Sequence, residues 1–217
     1  LLILVGLAGG SAGVVALRRK RILQERNRRF FQKNINRGIC EISYAIYQIL
    51  QDAKEAGVLI SFDPNLRKPL WKSMDDAKEK ISWGLSQCDI LKISDDEIEF
   101  MTGEKDIKTG VKKLIDEYHI PFICATMGKN GSMAFFDGHI VEAAPFLRDD
   151  TVETTGAGDT FCACLLHDVL EHGINDRKDD DVKKMLTFAN AAASLITTRK
   201  GALRVMPEKG EVEAVIK

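Results

Sequence analysis

Residues 152–166 read VETTGAGDTFCACLL: a turn with glycine at 156 and 158, a carboxylate at Asp159, then an apolar run of helical character. Glycines there let backbone N–H groups crowd toward one point, and a helix starting at that point adds the positive end of its dipole. Such a turn binds an oxyanion or a phosphate. It lacks the lysine and the spacing of a Walker P-loop. A carboxylate inside the turn opposes the attraction of phosphate, so Asp159 calls for a chemical reason. In phosphoryl transfer to an alcohol the attacking hydroxyl must be oriented and must lose its proton, which suits an aspartate beside charge-stabilising N–H groups. The plainer reading is a helix cap that happens to contain glycine, and turn chemistry leaves both open.

Outward from this turn, the chain alternates helices with apolar strands. ISYAIYQILQDAKEAG has apolar positions at helical spacing and stops at Gly57, and VLISF follows as a buried strand. That strand ends in DPNLR, where Asp63, Asn65 and Arg67 can line its carboxyl end. A helix from Ser73 to Cys88, a strand DILKI, and a helix opened by Ser94 with Glu97 three residues later come next. IPFICAT reads as a strand, MGKNG as a tight turn, and SMAFFDGHIVEAA as a hairpin around Asp137-Gly138. Helices Thr160 to Glu171 and Asp180 to Thr198 complete the run. This order predicts an α/β fold with a mostly parallel sheet covered on both faces, its ligands at the carboxyl ends of strands.

The balance of 31 Lys and Arg against 32 Asp and Glu gives no global field to hold nucleic acid or an anionic membrane, so a small molecule is the better partner. The length and 45% hydrophobic content suit one domain. Five cysteines, Cys40, Cys88, Cys124, Cys162 and Cys164, show no paired zinc spacing and read as reduced thiols of a cytoplasmic protein. His167 and His172 read as surface helix residues.

Residues 1–38 differ from the rest. The uncharged LLILVGLAGGSAGVVAL precedes the basic RRKRILQERNRR, the order of a membrane segment with a cytoplasmic flank. As a helix the apolar part would reach about 26 Å, short of a hydrocarbon core of about 30 Å. An atypical leader, a membrane-associated helix, and a buried strand and turn all remain open. No fold or function is assigned to this segment, and residues 39–217 carry the domain.

ETTGAGDTF, with FDPNLR upstream, TMGKNGS between them and FANAAASLITTRKGA downstream, resembles the ribokinase-like (PfkB) family of carbohydrate kinases, most closely its fructokinases. The resemblance covers about residue 45 to the end. It implies a three-layer ribokinase-like α/β fold, incomplete at the amino-terminal side, and ATP-dependent phosphorylation of a sugar hydroxyl, with fructose as the leading substrate. It assigns Asp159 as catalytic base and the amides of Gly156, Ala157 and Gly158 as an anion hole. Ser94 and Glu97 fall on the family's Asn-x-x-Glu motif with serine in place of asparagine, and with Asp63, Asn65 and Arg67 they are grouped for magnesium and phosphate. A capping box needs the same Ser94–Glu97 spacing. Thr126, Gly128 and Gly131 match the nucleotide-contact turn, and Asn190 matches a residue near the adenine. Glu153, Thr155 and Gly201 match a monovalent-cation (K+) site, with a longer acid than usual.

Relatives place most sugar contacts and a small lid sheet before the helix that begins near residue 41, where this chain offers no recognisable counterpart. The competing reading is a truncated, non-catalytic nucleotide-binding remnant; ribose, 2-keto-3-deoxygluconate or a nucleoside are the other substrates in view. A homodimer is left open.

Overall fold

The computed structural model describes residues 2–8, 11–17 and 39–217, with side chains considered from residue 45 onward. The basic block 18–29 and the side chain of Cys40 lie outside the described residues. By packing, the chain divides into two compact units, residues 1–91 with 118–120 and residues 92–117 with 121–217. Composition predicts one domain, and the division follows no linker: it falls inside a strand, β4 (Ile90–Ser94).

In the first unit β1 (Leu2–Ala8) and β2 (Ser11–Leu17) pair antiparallel, with Leu2 opposite Leu17 and Ala8 opposite Ser11. β1 runs parallel to β3 (Leu59–Asp63), which runs parallel to β4, so the order is β2-β1-β3-β4. Within the apolar opening, the described residues Leu2–Ala8 and Ser11–Leu17 are strands, the strand alternative among those the sequence leaves open. Its segments LILVGLA and SAGVVAL combine β-branched residues with glycines that each weaken a helix by about 1 kcal/mol, and β1 satisfies its backbone groups along β3.

Helix α1 (Ile39–Glu55) stops as its sequence predicts, with Gly57 in the left-handed region at φ 62°. β3 is tied at its start by Asp89: Ile60 N–H donates to the Asp89 carboxylate at 2.7 Å, and Asp89 N–H donates to the Ile60 carbonyl at 2.8 Å. Helix α2 (Met74–Leu85) is capped by Ser73, whose hydroxyl accepts from Asp76 N–H at 3.1 Å. A Cβ on Gly84 of α2 would stand 2.5 Å from Phe62 Cζ, so this glycine lets the helix lie against the buried ring of β3.

The second unit takes up β4 at Lys92 and continues through α3 (Asp95–Thr102), α4 (Ile107–Tyr118) and β5 (Phe122–Thr126). β5 pairs antiparallel with β6 (Ser132–Phe136), and β6 with β7 (His139–Ala143), giving the order β4-β5-β6-β7. Asp137 and Gly138 both have positive φ, 47° and 79°, which is the two-residue turn whose twist matches a hairpin. The parallel pairings thus lie along β1-β3-β4, while β5 to β7 form a meander. Helix α5 (Ala157–His172) packs on α6 (Asp179–Ile196), which lies on β6 and β7 and also meets α7 (Lys209–Ile216). Ala191, Ala192, Leu195 and Val212 form the buried seam of α6 and α7, where small side chains permit a close approach. The sequence reading left α4 and α7 unassigned.

Cys88, Cys124 and Cys162 are free and buried, and Cys164 is half-buried. His167 and His172 lie on the exposed face of α5, as expected. Among the described residues no helix is long and apolar enough to cross a membrane.

Candidate active site

The glycine turn is the start of α5. Gly156 is its N-cap at φ 87°, a left-handed conformation that turns the incoming chain into the helix. A Cβ on Gly156 would stand 3.2 Å from Ile196 Cδ1 and 3.3 Å from Ala202 Cα, so space as well as φ selects glycine. The helix begins at Ala157, three residues earlier than the sequence predicts, and this places Asp159 exposed in the first turn. The cap position itself belongs to Gly156, so Asp159 is not the capping residue. A carboxylate there gains from the helix dipole by about 0.3–1 kcal/mol while remaining open to a ligand.

One expected member of the anion hole is used differently. Ala157 N–H donates to the Thr154 carbonyl at 3.2 Å, because the left-handed Gly156 folds the turn back on itself. Gly156 and Gly158 still carry the expectation of an N–H cradle.

The residues matched to a monovalent-cation site come together around the same turn. Gly201 N–H donates to a Glu153 carboxylate oxygen at 3.4 Å, and Val152 and Glu153 N–H both donate to the Thr197 carbonyl, at 2.8 and 3.1 Å. The longer acid thus reaches the loop after α6. Thr155 lies exposed between Glu153 and the glycine cap.

The nucleotide-turn residues converge on the segment that follows β7. Gly131 has φ 88° and ψ −142°, and a Cβ there would overlap the Ala143 carbonyl oxygen and stand 3.0 Å from Pro145 N. Asn190 of α6 donates through Nδ2 to the Ala143 and Ala144 carbonyls at 3.3 and 3.0 Å. Through Nδ2, Asn190 thus fixes the 143–145 segment. Met127 N–H donates to the Gly131 carbonyl at 2.9 Å and closes the loop over the short 3-10 turn Gly128–Asn130, where Gly128 has φ 51°. Thr126, at the carboxyl end of β5, reaches the Ile93 carbonyl of β4 at 3.5 Å.

At the end of β4 the capping box is complete: Glu97 N–H donates to Ser94 Oγ at 3.3 Å and Ser94 N–H donates to Glu97 Oε2 at 2.8 Å. Glu97 is only 6% exposed. The spacing that matches a metal and phosphate motif is therefore first a helix start. Two residues before Ser94, Lys92 is 7% exposed and carries its Nζ to 3.2 Å from where a Cβ on Gly158 would sit. Sequence reasoning passed over it, although a lone charge in the apolar strand ILKIS was a visible signal.

In the other unit, Asp63 is buried and its carboxylate accepts from Asn65 N–H at 3.2 Å, an Asx turn that holds Asn65 at φ 44°. Arg67 is exposed and precedes the 3-10 turn Lys68–Leu70. Among the described residues no three His, Cys, Asp or Glu side chains gather as a metal site.

The first turn of a glycine-capped helix, carrying a carboxylate and lying beside Lys92 of β4, is an arrangement suited to handling an anion. Residues 27–209 match the family described as pfkB family carbohydrate kinase. The chain belongs to that family. It is 35% identical over 168 residues to the Arabidopsis thaliana protein named "Probable fructokinase-2", an alignment covering 77% of this chain and 51% of that protein. Among solved structures it is similar to the fructokinase from Vibrio cholerae O395 in its fructose-, ADP- and calcium-bound form, with a TM-score of 0.71 and 25% identity over 81% of this chain and 56% of that one. It is also similar to aminoimidazole riboside kinase from Salmonella enterica complexed with aminoimidazole riboside and an ATP analog, with a TM-score of 0.69 and 25% identity over 79% and 57%. The chain spans about half the length of these relatives. Its fold is ribokinase-like α/β, as the resemblance implies.

Proposed function

We propose that the site transfers the γ-phosphoryl group of ATP to a primary hydroxyl of a sugar, with fructose as the leading acceptor. The observation that carries the reading is the exposed Asp159 carboxylate in the first turn of α5, at a helix start whose cap is glycine and not the acid. A base so placed takes the proton of the sugar hydroxyl as its oxygen bonds to the γ-phosphorus, while the bond from that phosphorus to the bridging oxygen breaks and ADP leaves. The dipole of α5 favours the charge spread over the transferring group. Gly131 provides the close backbone approach of the nucleotide turn, with Thr126 and Gly128 beside it, and Asn190 holds the 143–145 segment against which that turn is built.

Magnesium, when bound to ATP, supplies charge screening across the phosphates. The residues fit this in a limited sense: magnesium is commonly held by one or two carboxylates plus substrate phosphates, and Glu97, buried in the first turn of α3 beside Ser94, is such a carboxylate. Asp63, Asn65 and Arg67, in the other unit, form a separate group at the end of β3 with one buried carboxylate of its own. Glu153, Thr155 and Gly201 offer oxygen donors for potassium beside the glycine turn. Curated fructokinase relatives and a fructose-bound solved neighbour favour fructose over the aminoimidazole riboside of the other neighbour.

The test is ADP release from ATP and magnesium in the presence of fructose, ribose, 2-keto-3-deoxygluconate and a nucleoside. Release stimulated most by fructose supports the reading. Release that no acceptor stimulates refutes it for this chain.

A further inference from the structure

β2 and β7 are both edge strands, and the chain treats them differently. β7 is guarded. Phe136 and His139 are partners across the two residues Asp137-Gly138, so they form a hydrogen-bonded pair. Alternation then gives His139, Val141 and Ala143 to β6 and turns the backbone groups of Ile140 and Glu142 outward. The outward carbonyl of Glu142 accepts from the Lys183 ammonium. The Glu142 carboxylate pairs with Lys108 at 2.8 Å, and His139 meets the Asp179 carboxylate at 2.9 Å. Charged side chains and an occupied carbonyl keep a sheet edge from pairing further.

β2 has none of these guards. Among the described residues it pairs with β1 alone, and its sequence SAGVVAL holds no charge and no proline. Ala8 and Ser11 are partners with two residues between them, so they too exchange both backbone bonds, and Ser11, Gly13, Val15 and Leu17 bond toward β1. Ala12, Val14 and Ala16 therefore direct their N–H and carbonyl groups away from the hairpin. Such an edge, about 23 Å long, is a template for another strand.

The template fits itself. A second β2, turned antiparallel about Val14, sets Ala12 against Ala16 and Val14 against Val14, so that every outward N–H of either strand meets an outward carbonyl of the other. Charge selects the same orientation. Leu17 runs directly into Arg18-Arg19-Lys20-Arg21, and parallel pairing would start both basic blocks side by side. Antiparallel pairing starts them at opposite ends of the strand pair, about 23 Å apart and beyond the Debye length of about 8 Å at physiological salt. A two-fold contact of this kind also closes, leaving no β2 edge for a third copy. We propose that two copies of this chain associate by antiparallel pairing of their β2 strands, with the two-fold axis at Val14. The proposal is independent of the kinase reading.

Sedimentation velocity of the full chain over a wide range of concentration tests it, and a monomer–dimer equilibrium is the expected result. The Val14 N–H is not used within the hairpin, so Val14→Pro should keep the fold while removing the two central bonds of the dimer. The dimer dissociation constant should then rise by about ten- to a hundredfold. Val14→Lys and Val14→Glu each set like charges opposite one another across the axis; each alone should be monomeric, and a mixture of the two should restore the dimer. This pair answers the question if Val14→Pro does not fold. Hydrogen exchange on the wild type needs no variant: the amides of Ala12, Val14 and Ala16 should gain protection as concentration rises, while those of Gly13, Val15 and Leu17 stay unchanged. Wild type that is monomeric at every concentration overturns the proposal, and so does a dimer that the Val14 variants leave intact. Assemblies larger than a dimer, or a Lys and Glu mixture that stays monomeric, also overturn the two-fold pairing.

Discussion

Gly131→Ala is the perturbation whose cost can be worked most fully from the structure. Gly131 sits at φ 88° and ψ −142°, close to the region that only glycine occupies readily. Holding an alanine there costs about 1–3 kcal/mol. The added methyl overlaps the Ala143 carbonyl oxygen and would stand 3.0 Å from Pro145 N and 3.1 Å from Ala144 C, all backbone atoms that no rotamer can relieve. Overpacking of this kind adds about 1–3 kcal/mol. Moving the segment away would break the Asn190 bonds to Ala143 and Ala144. The sum is a loss of about 2–6 kcal/mol, which for a chain of this size lowers the melting temperature by roughly 5–20 °C. Gly128→Ala is the internal control: φ is 51°, but no atom lies within 4 Å of the added carbon. It should cost only the left-handed backbone, about 1–2 kcal/mol. Urea and thermal unfolding followed by circular dichroism measure both. Equal losses in the two variants would refute the claim that the nucleotide turn is built by close approach to residues 143–145.

Two further outcomes are expected. Arg177, whose side chain is 4% exposed, pairs with Asp168 at 2.7 Å and donates to the Gly173 carbonyl at 3.0 Å, so Arg177→Met should destabilise the fold by about 3–5 kcal/mol in urea, by leaving Asp168 without its buried counterion; a loss below about 1 kcal/mol contradicts this. Burial raises the Cys164 thiol from its ordinary 9.0 to about 11, and burial pushes Cys88 and Cys124 up as well. Because the folded pKa lies above the unfolded one, the associated stability is intact below about pH 9 and is lost as pH rises toward 11. The urea midpoint should therefore fall over that window, and fall less steeply in Cys164→Ala; equal slopes would count against burial as the cause.

The helix ends and strands nearest the motifs were legible because their signals are local. Ser73 and Ser94 cap α2 and α3, and Asp137-Gly138 turns the hairpin, each through a side chain or φ within three residues. The candidate base was equally visible, as a lone acid in a glycine turn. Signals that depend on distant partners were not. Glycine-rich LILVGLA and SAGVVAL read ambiguously alone, and become strands by pairing with each other and with β3, which lies more than forty residues away. Lys92 looked like an irregularity in a buried strand until the fold brought Gly158 to it. Asn190 adds a role its motif does not reveal, since Nδ2 donates to two backbone carbonyls more than forty residues away.

The central claim is that Asp159 is the base of a sugar-phosphorylating site, and Asp159→Asn tests it most directly. Asparagine keeps the shape and the hydrogen-bonding oxygen of aspartate but accepts no proton, so AMP-PNP affinity should be retained and stability should fall by no more than the helix-dipole contribution of about 1 kcal/mol. Fructose-dependent ADP release, measured beside the wild type, should fall by at least about 10²-fold. An Asp159→Asn protein that binds AMP-PNP and still releases ADP at the wild-type rate would contradict the account.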